Sequence, residues 1–176
     1  MKRIILVYGA INMLIMACMF TISTIFREQI GFQNAMIVGY TNIVLGSSMI
    51  YFAIASYKKN NGGEVSFGKA FKIGLFLSLI AGAVYALIWV ILINTVMTDF
   101  CQQYHNYMIA DMQKHGADAA KIADAEKELE MVNNIMKNPP LLFLEAMFVE
   151  CFPVGLLISF ISAAILRTRK NTTAMG

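Results

Sequence analysis

Residues 73–98 read IGLFLSLIAGAVYALIWVILINTVMT, 26 positions without one charge. A helix of that length rises roughly 39 Å, more than the hydrocarbon core of a bilayer at about 30 Å. Core helices of soluble proteins seldom stay apolar beyond about 14 residues. The stretch therefore reads as a transmembrane helix. Comparable runs lie at Ile4–Phe26, Met36–Tyr57 and Leu141–Leu166. Four such runs in 176 residues predict one all-α domain, residues 1–176, built as an integral membrane four-helix bundle.

The composition agrees. Hydrophobic residues make up 58% of the chain, and the 14% that are charged avoid the four runs almost entirely. Those charges sort by side. Lys2 and Arg3 precede the first run, Lys58, Lys59, Lys69 and Lys72 lie between the second and third, and Arg167, Arg169 and Lys170 follow the fourth. Glu64 is the one acid among them. On the opposite side stand Arg27 and Glu28, then a segment in which four lysines meet seven acids from Asp99 to Glu130. Short cytoplasmic loops are enriched in Lys and Arg, so both termini are expected in the cytoplasm of a bacterial inner-membrane protein. Such basic loops mark topology or contact with anionic lipid, the bilayer being the first partner. Nucleic acid is not indicated by these loops.

Met1-Lys2-Arg3 before an apolar run has the outline of a secretory signal, and Ile15-Met16-Ala17-Cys18 faintly that of a lipoprotein box. The uncharged run continues well past both, beyond the roughly 7–15 residues of a signal h-region, so a retained span is the reading. Cys18, Cys101 and Cys151 form no pairing pattern. His105 and His115 are too far apart for adjacent turns of one helix. Neither a metal nor a cofactor is indicated.

The connections carry their own signals. Arg27–Ala35, with Gly31, reads as a short loop making the first two spans antiparallel neighbours. Asn60-Asn61-Gly62-Gly63 is a turn composition. Ser66 is a plausible N-cap, and Phe67 and Phe71 share one face, as in a short amphipathic segment at the interface or an ordinary helix start. Residues 99–138 are expected to form an extracytoplasmic helical hairpin between spans three and four. Tyr104, Tyr107, Met108 and Met112 form its first stripe, on a stretch read as continuing the third span. His115-Gly116 breaks it, and Asp118 can cap a second helix with Ile122, Ala125, Leu129, Val132 and Met136 on one face. Pro139-Pro140 ends that helix and opens the fourth span.

Within the spans, Gly74, Ser78, Gly82 and Ala86 repeat every four residues, as do Gly155, Ser159 and Ala163. Rows of small residues let helices approach closely in lipid. The two rows are expected to meet each other, with a homodimer seam as the alternative. Glu145 and Glu150 are the acids of the spans, and an intramembrane acid is a functional candidate by default. Counting inward from Leu166 puts Glu145 at the outer interface and Glu150 about one turn inside. A five-residue spacing turns them about 140° apart on an α-helix, so they form no acid–base pair. Asn94 lies near the level of Glu145 and is its candidate partner.

The order of these features is similar to that of a known family. The residues Gly39-Tyr40, Gly62-Gly63, the stretch Ser66-Phe-Gly-Lys-Ala-Phe-Lys-Ile-Gly74 and an acidic helical insert between spans three and four carry the likeness. The chain resembles the DUF4199 family, small four-span membrane proteins found mainly in Bacteroidetes. The resemblance implies a bacterial inner membrane and transfers no functional residues.

No nucleophile motif, acid–base pair or His/Cys cluster supports an enzyme. The sequence points to a structural or interaction subunit, with a membrane-protein partner or a second copy of itself. The alternative is a small transporter or channel using Glu150.

Overall fold

The computed structural model describes residues 1–168. Arg169 and Lys170 of the basic C-terminal cluster fall outside them. The described chain is all-helical, with no strand. In order it forms α1 (Lys2–Ile25), α2 (Arg27–Ser47), α3 (Met49–Asn60), α4 (Phe67–Thr95), α5 (Phe100–Lys114), α6 (Ala119–Met136), α7 (Pro139–Glu145), a π-helical turn (Ala146–Cys151) and α8 (Phe152–Leu166). Four helical runs are long and apolar enough to cross a membrane: α1, α2 with α3, α4, and α7 through α8.

Large apolar side chains point outward along all of these runs, among them Leu14, Ile37, Leu87, Val149 and Ile165, each more than half exposed. In water so much exposed apolar surface would drive association. In lipid it is the expected outer coat, and the inside is distinguished by small and polar residues.

The inside is the seam between α4 and α8. A methyl group built on Gly155 would come 2.8 Å from Ser78 Cβ, and one on Gly74 would meet the Ser159 side chain at 2.5–2.6 Å. The backbones thus touch through glycine on each side. Ser78 and Ser159, both buried, lie 3.0 Å apart at the crossing. Each hydroxyl also reaches a carbonyl of its own helix, Ser78 to Gly74 at 2.9 Å and Ser159 to Gly155 at 2.7 Å. Two protons serve these three contacts, so at any instant either one contact lacks a proton or one proton is shared between two acceptors. Gly82 faces the Met147 backbone, with a would-be methyl 3.3 Å from its carbonyl oxygen. Around the seam, α3 packs Ile50, Ala53 and Ile54 against Ile73 and Leu77, and α1 brings Met16 and Phe20 to Tyr85.

At the end bearing the basic residues the chain is fastened. Thr168 N–H donates to the Val65 carbonyl at 2.8 Å, and Val65 N–H donates to Thr168 Oγ1 at 2.9 Å. Lys58 Nζ donates to the Leu166 carbonyl at 3.0 Å, a cation at the negative end of α8.

Several connections differ from the sequence reading. Arg27–Ala35 is not a loop. The chain turns at Phe26 and at Gly31, whose φ of 66° and ψ of 163° only glycine adopts easily, and the residues between stay helical. The third span does not continue into the Tyr104 stripe. It ends at Thr95, where Val96 and Met97 N–H both donate to the Leu92 carbonyl, and α5 restarts at Phe100. Of the two readings of Ser66 through Lys72, the ordinary helix start holds and the separate interfacial segment does not. Ser66 accepts from Lys69 N–H, and Phe67 begins α4 itself.

Candidate functional site

The fourth span changes helical type around Glu150. Pro153 has no N–H and its ring clashes with the carbonyl four residues back, here that of Val149. The residues just before it, Ala146–Cys151, widen into the π form, in which Phe152 N–H reaches back five residues to Met147. A π-turn inserts one extra residue into the helix. It also alters the relation between the two acids. The 140° separation of a regular helix therefore does not carry over unchanged to Glu145 and Glu150, which lie on either side of Ala146 in this turn.

Glu150 is half-buried, and its partner is Tyr85 on α4. The Tyr85 hydroxyl donates to Glu150 Oε2 at 2.6 Å, at the short end of O–H···O lengths. Tyr85 is 6% exposed, so this is an inter-helix bond inside the bundle. The ring is wedged against Phe20 at a 5.2 Å centroid separation, and Phe20 lies 6.2 Å from Trp89. The aromatic row continues from Trp89 to Phe100 and from there to Phe32 and Tyr104. It joins the polar pair to the foot of the α5–α6 hairpin.

Residues 7–168 match the family model described as a protein of unknown function, DUF4199. The chain belongs to the DUF4199 family. The match takes in the hairpin and all or most of each of the four long apolar runs. No curated protein and no solved structure matches the chain.

The other residues singled out in this DUF4199 protein sort as follows. Glu145 is half-buried one π-turn from Glu150. Asn94 does not join them. Its amide donates to the Val90 carbonyl of its own helix at 2.8 Å and is otherwise exposed. Gly74, Ser78, Gly155 and Ser159 come together at the seam, whereas Gly82 meets Met147. Two outer grooves are apolar, one between α1 and α4 beside Phe20 and Ile88, the other along α2 beside Ile37 and Val44, and Glu150 lines neither.

No group of three or more His, Cys, Asp and Glu side chains able to hold a metal occurs among the described residues. The three cysteines are free. Cys101, at the foot of the hairpin, sits 3.3 Å from the Met136 sulfur. Burial raises its thiol above the ordinary value, and Lys137 pulls the other way.

Tyr85 is the candidate-site residue that hydropathy reading misses. An aromatic inside an apolar run counts as apolar, and its hydroxyl disappears from the sum. A signal was present: Tyr85 follows Gly82 by three and Ser78 by seven, so it lies on the same face as the small residues.

Proposed function

We propose that this protein is a multi-pass inner-membrane subunit that works by contact, binding a membrane-protein partner or a second copy of itself. Both termini lie in the cytoplasm and the hairpin outside it. The observation that carries this reading is the free face of α6. The hairpin stands off the spans on polar helices, and its inner residue Leu129 is covered, at 8% exposure. Met131 and Val132 next to it remain 66% and 36% exposed. Two adjacent apolar side chains left open on a hairpin outside the spans are what support a contact surface there. Phe32 packs against Phe100, Tyr104 and Tyr107 and so joins the hairpin to α2.

The experiment is purification in mild detergent from native membranes, with mass by light scattering. A dimer or a stoichiometric partner is expected. Met131→Glu with Val132→Glu should dissociate it while the monomer stays folded. Recovery of bare monomer from the unmodified chain would count against the reading. Leu129 is a poor probe, because a charge there would disrupt the hairpin itself.

A second reading, a small transporter or channel, has one observation in its favour. Glu150 sits on a π-turn, and such turns recur at functional sites. It requires an ion-dependent flux that Glu150→Gln abolishes with insertion intact. Normal flux in that variant removes its central residue.

A further inference from the structure

Seven described cations gather at the basic end of the bundle, and their places on the helices divide them. Lys58 and Lys59 lie in the last turn of α3, and Arg167 closes α8. Those are the negative ends of their helices, where a cation is stabilising. Lys2, Arg3 and Lys69 lie in the first turns of α1 and α4, and Lys72 follows about one turn deeper. Those are the positive ends, where a cation is disfavoured and an acid is the stabilising residue. Neither first turn carries an acid. The three ion pairs among the described residues all lie on the hairpin, joining Asp111 to His115, Asp118 to Lys121 and Asp124 to Lys127. Lys2, Arg3, Lys69 and Lys72 are all exposed, and among the described residues none of them is in an ion pair.

The fold sets these four at one level on neighbouring helices. α1 and α4 run parallel: Gly9 lies beside Ile80 and Leu77, and further along Phe20 lies beside Tyr85 and Trp89. A methyl group on Gly9 would touch Ile80 at 3.6 Å and Leu77 at 3.9 Å, so the helices are in contact there. Lys2 is seven residues before Gly9, and Lys72 is eight before Ile80 and five before Leu77. At about 1.5 Å per residue both stand roughly 8–12 Å from that crossing, toward the basic end. Arg3 falls within the same range, and Lys69 is about one turn further out. Ile4, Ile5 and Tyr8 of α1 and Phe67 and Phe71 of α4 pack on one buried cluster, so the two helix starts share a core.

Beneath the cations the surface is apolar. Lys72, Phe76 and Ile80 form a row at every fourth residue of α4, in which Phe76 is exposed and Ile80 meets α1. On α1, Leu6 and Val7 are exposed three and four residues below Arg3.

We propose that the paired starts of α1 and α4 bind an anionic phospholipid, its phosphate held by Lys2, Arg3, Lys69 and Lys72 and an acyl chain laid along Phe76. The phosphate supplies the negative charge that both helix starts lack, and it accepts from ammonium and guanidinium donors. Each Lys or Arg near a bilayer surface adds to the attraction for anionic lipid. A zwitterionic lipid carries the same phosphate but brings a cation of its own, so it gains less. The apolar row beneath selects a lipid over a soluble phosphate, which would leave that row uncovered. The inference needs only that the four runs cross a bilayer. It goes beyond the contact function and holds with the basic end in either leaflet.

Native mass spectrometry of the full chain released from detergent tests it. Offered equal amounts of dioleoyl phosphatidylglycerol and dioleoyl phosphatidylcholine, the chain should retain one phosphatidylglycerol in preference. Lys2→Gln with Lys69→Gln and Lys72→Gln should weaken that retention on the order of a hundredfold, at roughly fivefold per lysine. Lys59→Gln with Arg167→Gln removes charge from the same end, but from the negative helix ends, and should lose far less per charge. Glycerol phosphate, which has the headgroup charge without the chains, should not displace the bound lipid. Lys72→Gln alone, with about a fivefold loss, serves if the triple variant fails to insert. Equal retention of the two lipids overturns the proposal, as does an unaffected Lys72→Gln chain. An equal loss per charge in the Lys59 and Arg167 variant also overturns it, because the attraction then belongs to the whole basic end. Displacement by glycerol phosphate overturns it in favour of a soluble phosphate.

Discussion

The glycines of this chain are not equivalent, and the difference can be put to a number. At Gly155 a methyl group would sit 2.8 Å from Ser78 Cβ and 3.4 Å from its Cα, atoms that no side-chain rotation moves away. Gly155→Ala must therefore push α4 and α8 apart, at about 1–3 kcal/mol. Gly39 lies in a helix with nothing within 4 Å of its would-be methyl. Gly39→Ala should be neutral or stabilising by up to about 1 kcal/mol, because alanine gives up less chain entropy in a helix. Reversible unfolding in mixed micelles compares them, and equal responses would dismiss the close-packed seam. Tyr85 allows a second prediction at this scale. Tyr85→Phe keeps the packing against Phe20 and takes away the one hydroxyl bonded to Glu150. Inter-helix hydrogen bonds in membrane proteins are worth about 0.6–2 kcal/mol, so a loss in that range is expected. Glu150→Leu made on top of Tyr85→Phe should then cost less than it does alone. Additive losses would mean that the bond stabilises nothing.

At the scale of the helix, what could be read in advance depended on how local its cause is. Ser66, Asp118 and Asn138 each accept the backbone N–H three residues on, as their residue type and position allow. Gly116, at φ 73°, follows the end of α5. Asp118→Ala should therefore loosen the first turns of α6 by about 1 kcal/mol. Faster amide exchange there, with the spans unchanged, is the readout, and unchanged exchange would show the cap to be idle. The interruptions inside the long runs have distant causes, and these were not legible. The irregular turn at Ser48 lies where an Asn12 amide from α1, thirty-four residues away in sequence, donates to the Gly46 carbonyl. The stop at Thr95 depends on how Met97 and Phe100 pack on Trp89 and Leu142, which a count of uncharged residues cannot see. The π-turn combines a local cause, Pro153, with the registry of Met147 on Gly82. Hydropathy thus recovers the number and approximate extent of the apolar runs. It passes over the places where they bend, and over Tyr85, whose one polar atom meets the acid.

For the whole molecule the open question is direction across the membrane. Among the described residues seven cations, Lys2, Arg3, Lys58, Lys59, Lys69, Lys72 and Arg167, belong to one end of the bundle, with Glu64 as that end's acid. The hairpin end is mixed and acidic. Because Lys and Arg in short loops stay on the cytoplasmic side, the hairpin should face out. Cys101 is placed to report it. It lies at the hairpin foot and is half-buried, whereas Cys18 is on a spanning helix and Cys151 is buried inside the bundle. A membrane-impermeant maleimide added to intact cells should therefore label Cys101, and Cys101→Ser should abolish the signal. The thiolate is the reacting form, and burial raises the Cys101 thiol, so less thiolate is present at any given pH than for a free cysteine. Labelling should be slow near neutrality and keep accelerating as pH rises past the ordinary thiol range. Met136→Ala, which opens the contact over the sulfur, should quicken it at every pH. Labelling that appears only after the cells are permeabilised, in Met136→Ala as well, would reverse the orientation and put the hairpin, with its open α6 face, in the cytoplasm.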